Sequence, residues 1–578
     1  MLRLCLLCSL LLSAVQLSFA QVCPEDPPLN PFLADTPWPI YHRNNYAQAS
    51  TCITGPLPGD SVRVKLRRDI QGGTSPWVYI TEPYANGELA YLQSNATHVF
   101  KFADTGEEII AVDSMRIDFD PITSFGWNFL LAKDKVWYTY DPKYDPEDQE
   151  FTRLFKLTDA DTSDLFSEII PLDTFNFGDI EVNRVQHFSI NYSGEIVFNS
   201  DNDTENGFGT VGILSQDFEV LALLQYPTEA DEITNHNAFP IDEDNSFYIT
   251  TNKRLLKFVW DGSTLSLDWE APYDFVADGP IGTFAEGSGT TPTLMGFGED
   301  ADKLVIMSDG HAKNNLVAFW RELPEGWTGI PGFDIHFADS IQLPAAETFS
   351  NTFQSIENSP TVRGYEVAIA QFNGFLGYDC ENEKGVQKLT WNTDTDEWVL
   401  DWVNPEINMN GVLTYSEGAN MVYGSGKEED CNYYYYGLDW DSGELEWRLL
   451  LGPEGTFLDD PYYDGGSNNV IDANGNIIVP GGGSLFKIEI VERAVNEVSE
   501  LEKSSPWLLY PNPVDEFLWL SGPTQELVQW EVFDLQGRSL LRGTEGREPI
   551  SVAALPSGLY QVWLQTGQGT WIERFVKN

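Results

Sequence analysis

Residues Tyr433 to Trp447 read YYYYGLDWDSGELEW. An apolar, aromatic run ends in an Asp-Trp-Asp-Ser-Gly turn, and a second run follows that closes on Trp. Alternation of this kind between turn residues predicts a β-hairpin. The same phrase recurs along the chain. First strands are GELAYLQS from Gly87, NFLLAKD from Asn128, GEIVFNS from Gly194, NSFYITT from Asn245, KLVIMSD from Lys303, YEVAIAQFNG from Tyr365, NMVYGSG from Asn420 and GNIIVPGGG from Gly475. Partners include VFKFADTGEEI from Val99, LFKLTDADTS from Leu154, LLKFVWDGSTLSLDW from Leu255 and SLFKIEI from Ser484. Units this short, about 55 residues apart, cannot bury both faces of their own sheets and must stack on one another. Radial stacking covers those faces and leaves only short edges, so the pattern predicts an all-β chain built as a β-propeller. Eight blades are favoured, with seven as the alternative. WPIYHRNNY from Trp38 and DSVRVKLRR from Asp60 are expected to pair with the last blade and close the ring.

GLDWDSGELEW, from Gly437, resembles the blade motif of quinoprotein-type propellers, where an Asp-x-x-Thr/Ser-Gly turn precedes a Trp that docks between blades. FADTGEE and VWDGSTLSLDW are looser copies. The resemblance implies a quinone cofactor with a bound Ca²⁺. Pyrroloquinoline quinone is nonetheless disfavoured, because adjacent cysteines are missing, basic residues are scarce, and no calcium set can be assembled from the sequence.

The chain has 578 residues, with 33 basic against 89 acidic side chains and a formal charge of −56. Phosphate recognition needs clustered Lys and Arg, so nucleic acid is excluded as a partner and an anionic membrane surface is disfavoured. Aromatic residues at 13% and a hydrophobic fraction of 42% exclude a disordered chain. Residues 1–20 have the form of a signal peptide: Arg3, the apolar run Leu4–Leu12, and small Ser18 and Ala20 before a cut near Gln21. No later stretch reaches the 18 apolar residues of a transmembrane segment. Four cysteines remain after that cut: Cys23, Cys52, Cys380 and Cys431. An even number in an exported chain predicts two disulfides. Local pairing, Cys23–Cys52 and Cys380–Cys431, is preferred among three connectivities, and zinc is the weaker alternative.

The propeller is expected over residues 21–492 and a polar linker over 493–505. Residues 506–578 then read as a small Ig-like β-sandwich of six or seven strands. Its markers are Tyr510-Pro511-Asn512-Pro513, the turn Val532-Phe533-Asp534-Leu535-Gln536-Gly537-Arg538, and Leu555-Pro556-Ser557-Gly558-Leu559-Tyr560. In that order they resemble the type A C-terminal sorting domain of the type IX secretion system of Bacteroidetes. The resemblance implies export, an encounter with the type IX machinery, removal of the domain, and a secreted product or one attached to the outer-membrane surface.

Candidate chemistry is sparse. Asp309, His311, Lys313 and Asn314 follow a strand in MSDGHAKNN, where His could act as a base and Asp as its orienter. The competing reading is a β-turn. TTPTLMG, before that strand, is expected near the central channel. Asn235 and His236 are candidates for a pocket, with a turn or core role as the alternative. Asp201, Asp203 and Glu205 alternate as calcium loops do, against a solvated acidic loop. GxSxG, Walker and GxGxxG motifs are missing. The expectation is a ligand-binding or scaffold propeller with its site at the central channel and an extracellular ligand. The alternative is an enzyme acting on an extracellular substrate, either a quinoprotein-like oxidoreductase or a hydrolase.

Overall fold

The computed structural model describes residue 23 and residues 25–577 apart from 69–76, 95–97, 118–128, 142–150, 183, 202–206, 230–231, 235–237, 275–286, 312–313, 345–357, 371–384, 408, 454–468, 482, 495–507, 511–512, 522–526, 534–538, 545–548 and 567–568. The expected signal peptide and Cys380 lie outside them. The chain divides into two compact units between Arg493 and Ala494.

The first unit is an all-β propeller with eight sheets among the described residues. Within each, strands consecutive in sequence pair antiparallel. The innermost strands of blades one, two, three, five, six, seven and eight begin at Val78, Phe129, Val185, Thr293, Thr361, Asn410 and Val470. Blade four has three regular strands, and in the innermost place Ile241 bridges Phe247 of its strand Ser246–Thr250 while Thr234 bridges Thr251 just after it. Inner strands are buried throughout, as Val185–Ile190 is. Outer strands alternate between buried and exposed, as Leu265–Pro272 does. Ser61–Arg67 pairs antiparallel with Ser484–Glu492 and supplies the outer strand of blade eight, so the chain's beginning closes the ring against its end.

Two recurring devices join the blades. Lys101, Lys156, Lys257 and Lys487 are each the fourth residue of a third strand, and each crosses to the following blade. Lys101 Nζ meets Asp159 Oδ1 at 2.5 Å with both side chains buried. Lys487 meets Asp104 at 2.9 Å, Lys156 the Gln216 carbonyl at 2.9 Å and Lys257 the Arg321 carbonyl at 3.2 Å. An ammonium enclosed in this way requires acceptors on its neighbours, so each lysine fixes the seat of the next blade. The second device is the tryptophan at the end of the third strand, which donates to an acid of the preceding blade. Trp260 reaches Glu195 at 2.9 Å, Trp391 reaches Asp302 at 2.8 Å and Trp440 reaches Glu366 at 2.6 Å. The turn in GLDWDSGELEW forms as expected: the Asp439 carboxylate accepts from the amides of Asp441 and Ser442 and from the Ser442 hydroxyl.

The second unit is a β-sandwich of seven strands among its described residues. A three-stranded sheet (Leu508–Tyr510, Phe517–Ser521, Ile550–Ser551) lies with a four-stranded one (Leu527–Phe533, Ser539–Gly543, Gly558–Thr566, Gly569–Lys577). Leu509, Leu518, Val532, Ile550, Val562 and Phe575 are among its buried core. The Tyr560 hydroxyl of the third marker donates to the Pro556 carbonyl at 2.7 Å and ties off the turn.

The WPIYHRNNY stretch departs from expectation. It pairs with no last blade; it lies in the central channel. Pro37 and Pro39 remove backbone donors, and Ile40, Tyr41 and His42 show no period-two pattern, so the segment forms an isolated bridge, Ile40 to Leu130 of blade two, rather than a regular ladder.

Candidate functional site at one mouth of a filled channel

From Trp38 to Gly55 the N-terminal segment winds around the inside of the ring and meets the blades in order. The Ile80 amide of blade one donates to the Trp38 carbonyl at 3.3 Å, and Leu131 of blade two donates to Pro39 at 2.8 Å. The Asn45 amide group reaches the Ile190 carbonyl of blade three at 2.7 Å. The amides of Ile241, Leu294, Val362 and Tyr415, from blades four to seven, bind the carbonyls of Asn45, Tyr46, Gln48 and Ala49 at 2.8–3.1 Å. Ser50–Thr51 then pairs parallel to Asn410–Ser416 of blade seven. Arg493, just past the last strand of blade eight, binds the Thr54 and Gly55 carbonyls at 2.7 and 2.6 Å. The central channel is therefore occupied by the chain itself.

Making this curl requires unusual backbone. His42, Arg43, Ala47 and Ala49 have φ of 52°, 76°, 59° and 53°. Each costs on the order of 1 kcal/mol for a residue with a Cβ. Hydrogen bonds to the surrounding blades hold it in place. The segment is also anchored at its base. Cys23 and Cys52 form a disulfide. Asp26, beside it, is held by Arg43 through two oxygens at 2.9 and 2.5 Å and by Arg363 of blade six at 2.9 Å. Cys431 is also disulfide-bonded.

Innermost strands all start at the same end of the ring, and there the segment presents Tyr41 and His42. Trp77 stands just before the inner strand of blade one, His187 within that of blade three, Thr291 before that of blade five, Asn358 and Ser359 before that of blade six, and Asn469 before that of blade eight. Ring centroids lie 4.3 Å apart for Tyr41–Trp77 and 6.3 Å for Tyr41–His187. Burial pushes the Tyr41 pKa above the ordinary tyrosine value, and the Thr291 amide donates to the Ser359 hydroxyl at 2.9 Å. Burial also pushes His187 down to about 3. His42 is held well below the usual histidine value by burial and then by His187. At neutral pH these residues carry no charge. Both ring nitrogens of His42, Nδ2 of Asn358, Oδ1 of Asn469 and Oγ of Ser50 are buried and find no hydrogen-bond partner among the described residues. Such groups cost about 1–3 kcal/mol each unless a water or ligand satisfies them.

The described candidates from the sequence lie at the same end of the ring, in the connections between the second and third strands of their blades. Asp309 is buried in the connection after Leu304–Ser308. Its carboxylate accepts from the amides of His311 and Asn315 at 3.2 and 2.9 Å and from the Asn315 side chain at 2.5 Å. Asn314 donates to the Asp309 carbonyl at 2.7 Å, and the His311 side chain is exposed. These residues close the hairpin, and burial raises the Asp309 pKa. Asp201 accepts from Gln186, and burial pushes its carboxyl up to about 6 against the pull of Arg184. Asn235, His236, Lys313, Asp203 and Glu205 lie outside the described residues. Among the described residues, no group of three or more His, Cys, Asp and Glu could hold a metal ion. No set of acids for calcium is assembled among them, and Arg184, just before the inner strand of blade three, is a cation at that end of the ring. TTPTLMG does reach the channel, since the Thr293 hydroxyl contacts the Ala47 carbonyl at 3.3 Å. Tyr41, His42, His187, Asn358 and Asn469 were not singled out by sequence. A usable signal was the repeated Ser/Thr-Pro-Thr at 291–293 and 359–361, which marks two inner-strand starts.

The fold and tail define an exported all-β chain: a propeller followed by a sorting sandwich. Residues 508–578 match the family described as the secretion system C-terminal sorting domain. That tail marks a secreted or cell-surface protein, and no helix among the described residues is long and apolar enough to cross a membrane. An uncharacterized protein of Archaeoglobus fulgidus is 27% identical over 456 residues, covering 74% of this chain and 83% of the relative. Among solved structures, a europium-containing methanol dehydrogenase aligns over 77% of this chain and 90% of its own, at 9% identity and a TM-score of 0.46. PorZ, a surface component of the type-IX secretion system of Porphyromonas gingivalis, aligns over 86% of this chain and 75% of its own, at 12% identity and a TM-score of 0.25. These likenesses concern the fold, and no site residue is carried over from them.

Proposed function

We propose that the propeller is a surface or secreted ligand-binding module whose ligand is a small, uncharged polar molecule seated at the channel mouth. The observation that carries this reading is the set of unpartnered buried groups on His42, Asn358 and Asn469, which belong to the N-terminal segment and to the starts of two inner strands. They offer both donors and acceptors and no net charge, which suits hydroxyl and amide groups better than ions. Tyr41 and Trp77 add aromatic surface beside them. Binding is favoured over general acid–base catalysis because both imidazoles have lost basicity, whereas a working base needs a pKa near the operating pH.

The test is a panel of neutral sugars, polyols and amides titrated into the full-length protein and followed by thermal shift and calorimetry. A saturable stabilisation that disappears in Asn358→Ala and in Asn469→Ala is the expected result. Failure of every compound, together with a crystal structure showing only ordered water at these groups, would overturn the reading.

A further inference from the structure

Two fastenings of the N-terminal segment, one covalent and one ionic, sit at one place. Cys23 and Cys52 bracket the winding part and are joined covalently. The Cys52 amide donates to Cys23 Sγ at 2.9 Å. Arg43 leans over the same sulfur at 3.9 Å while binding Asp26. Asp26 in turn joins the segment to Arg363 of blade six, whose guanidinium also pairs with Glu417 of blade seven. Ring closure uses different residues, Ser61–Arg67 against Ser484–Glu492. The plug and the ring are thus fastened separately.

We propose that residues 23–52 form a latched plug, and that the Cys23–Cys52 bond is the latch that keeps Tyr41 and His42 at the channel mouth. Opening the latch releases the plug from the inner strands while the ring stays closed. The opening reaction is thiol–disulfide exchange with a dithiol. The S–S bond breaks, each sulfur gains one electron and one proton, and the dithiol closes to its own disulfide. The inference concerns the plug alone and does not depend on the ligand reading.

Three observations support a latch rather than a passive crosslink. Backbone pairing of the plug with blades four to seven is sparse until Ser50, one amide-to-carbonyl bond per blade, with side-chain bonds at Asp26, Tyr46, Ala47 and Gln48 beside them. Its backbone carries four left-handed residues that relax once unrestrained. Its ionic anchor, Asp26, lies three residues from Cys23, so both fastenings fail together.

The experiment is hydrogen exchange on the full-length Cys23→Ser/Cys52→Ser protein. The amides of Ile241, Leu294, Val362 and Tyr415, which bind plug carbonyls, report on the plug. The paired strands at 61–67 and 484–492 report on the ring. At least tenfold faster exchange at the four plug reporters, with the ring strands unchanged, is the expected result. Unchanged plug reporters would show that noncovalent contacts suffice and would overturn the latch. Equal acceleration in plug and ring would overturn it as well, because the two would then be one unit. Should the double variant not fold, the same amides are read on folded wild-type protein treated with a dithiol. The bond at Cys431 then reports separately through the connection at residues 428–432.

Discussion

His187 provides a quantitative test of the channel mouth. Its ring is buried among Tyr41, Phe188 and Phe239, and burial lowers its pKa from 6.5 to about 3. A depressed folded-state pKa means that the unfolded chain takes up the proton first. The stability contributed by neutral His187 is therefore complete above about pH 6.5 and is lost as pH falls towards 3. Between pH 7 and pH 5 the loss amounts to roughly 2 kcal/mol, since each pH unit below the unfolded pKa costs about 1.4 kcal/mol. A chain of this size unfolds with an entropy near 1 kcal/mol/K, so the melting temperature should move by about 2 °C. Other groups titrate in the same range. Asp201, pushed up to about 6, has the opposite sign and gains stability as pH falls. The measurement is therefore a difference: melting temperatures of wild type and His187→Gln at half-unit steps from pH 7.5 to 5. Common terms cancel, and wild type should lose about 2 °C relative to the variant across that range. A flat difference would show that His187 takes up its proton in the folded state, and the uncharged-mouth argument would fail with it.

Three further outcomes follow from the blade contacts and the tail. Lys101→Ala leaves Asp159 buried without its cation and should cost about 3 kcal/mol by urea denaturation, while Lys101→Met with Asp159→Asn should recover most of that loss. Trp391→Phe keeps a smaller aromatic ring in the blade interface but removes the donor to the Asp302 carboxylate, and should cost roughly 1.5–3 kcal/mol in the same assay. Mass spectrometry of the secreted product should show a C-terminus near Ser505, whereas a full-length product on the cell surface would contradict removal of the sorting sandwich.

Much of the propeller was legible in sequence because its middle strands obey local rules. GEIVFNS and LLKFVWDG are short apolar runs that end in turn residues, and runs of this kind recur along the chain. The innermost strands were harder to see. Thr293–Met295, Thr361–Arg363 and Val470–Ile471 are two or three residues long, too short to show a strand period. The lysine in FKF, FKL, LKF and FKI was visible as a repeated letter, but its meaning needs the next blade: only there does Lys101 find Asp159 and Lys487 find Asp104. The candidate site was the least legible part. MSDGHAKNN looks chemical because turns and active sites use the same residues, and Asp309 proves to hold its own hairpin together. Asn358 and Asn469 carry no local signal, since each matters only as one member of a ring assembled from distant segments.

The filled channel changes what kind of site this propeller can offer. An open channel lets a ligand contact inner strands directly, so its specificity belongs to the blades. Here the inner-strand amides of blades four to seven are already used by the plug, and the groups left over at the mouth come from plug and blades together. His42 is the clearest case. It sits at positive φ, it is buried, and its side chain meets aromatic rings rather than hydrogen-bond partners among the described residues. Holding a histidine in that state costs both backbone strain and desolvation. Packing alone does not account for it, because an apolar side chain would fill the same place at lower cost. The strain is intelligible if the imidazole is there to meet something, and the mouth of the channel is where it would meet it.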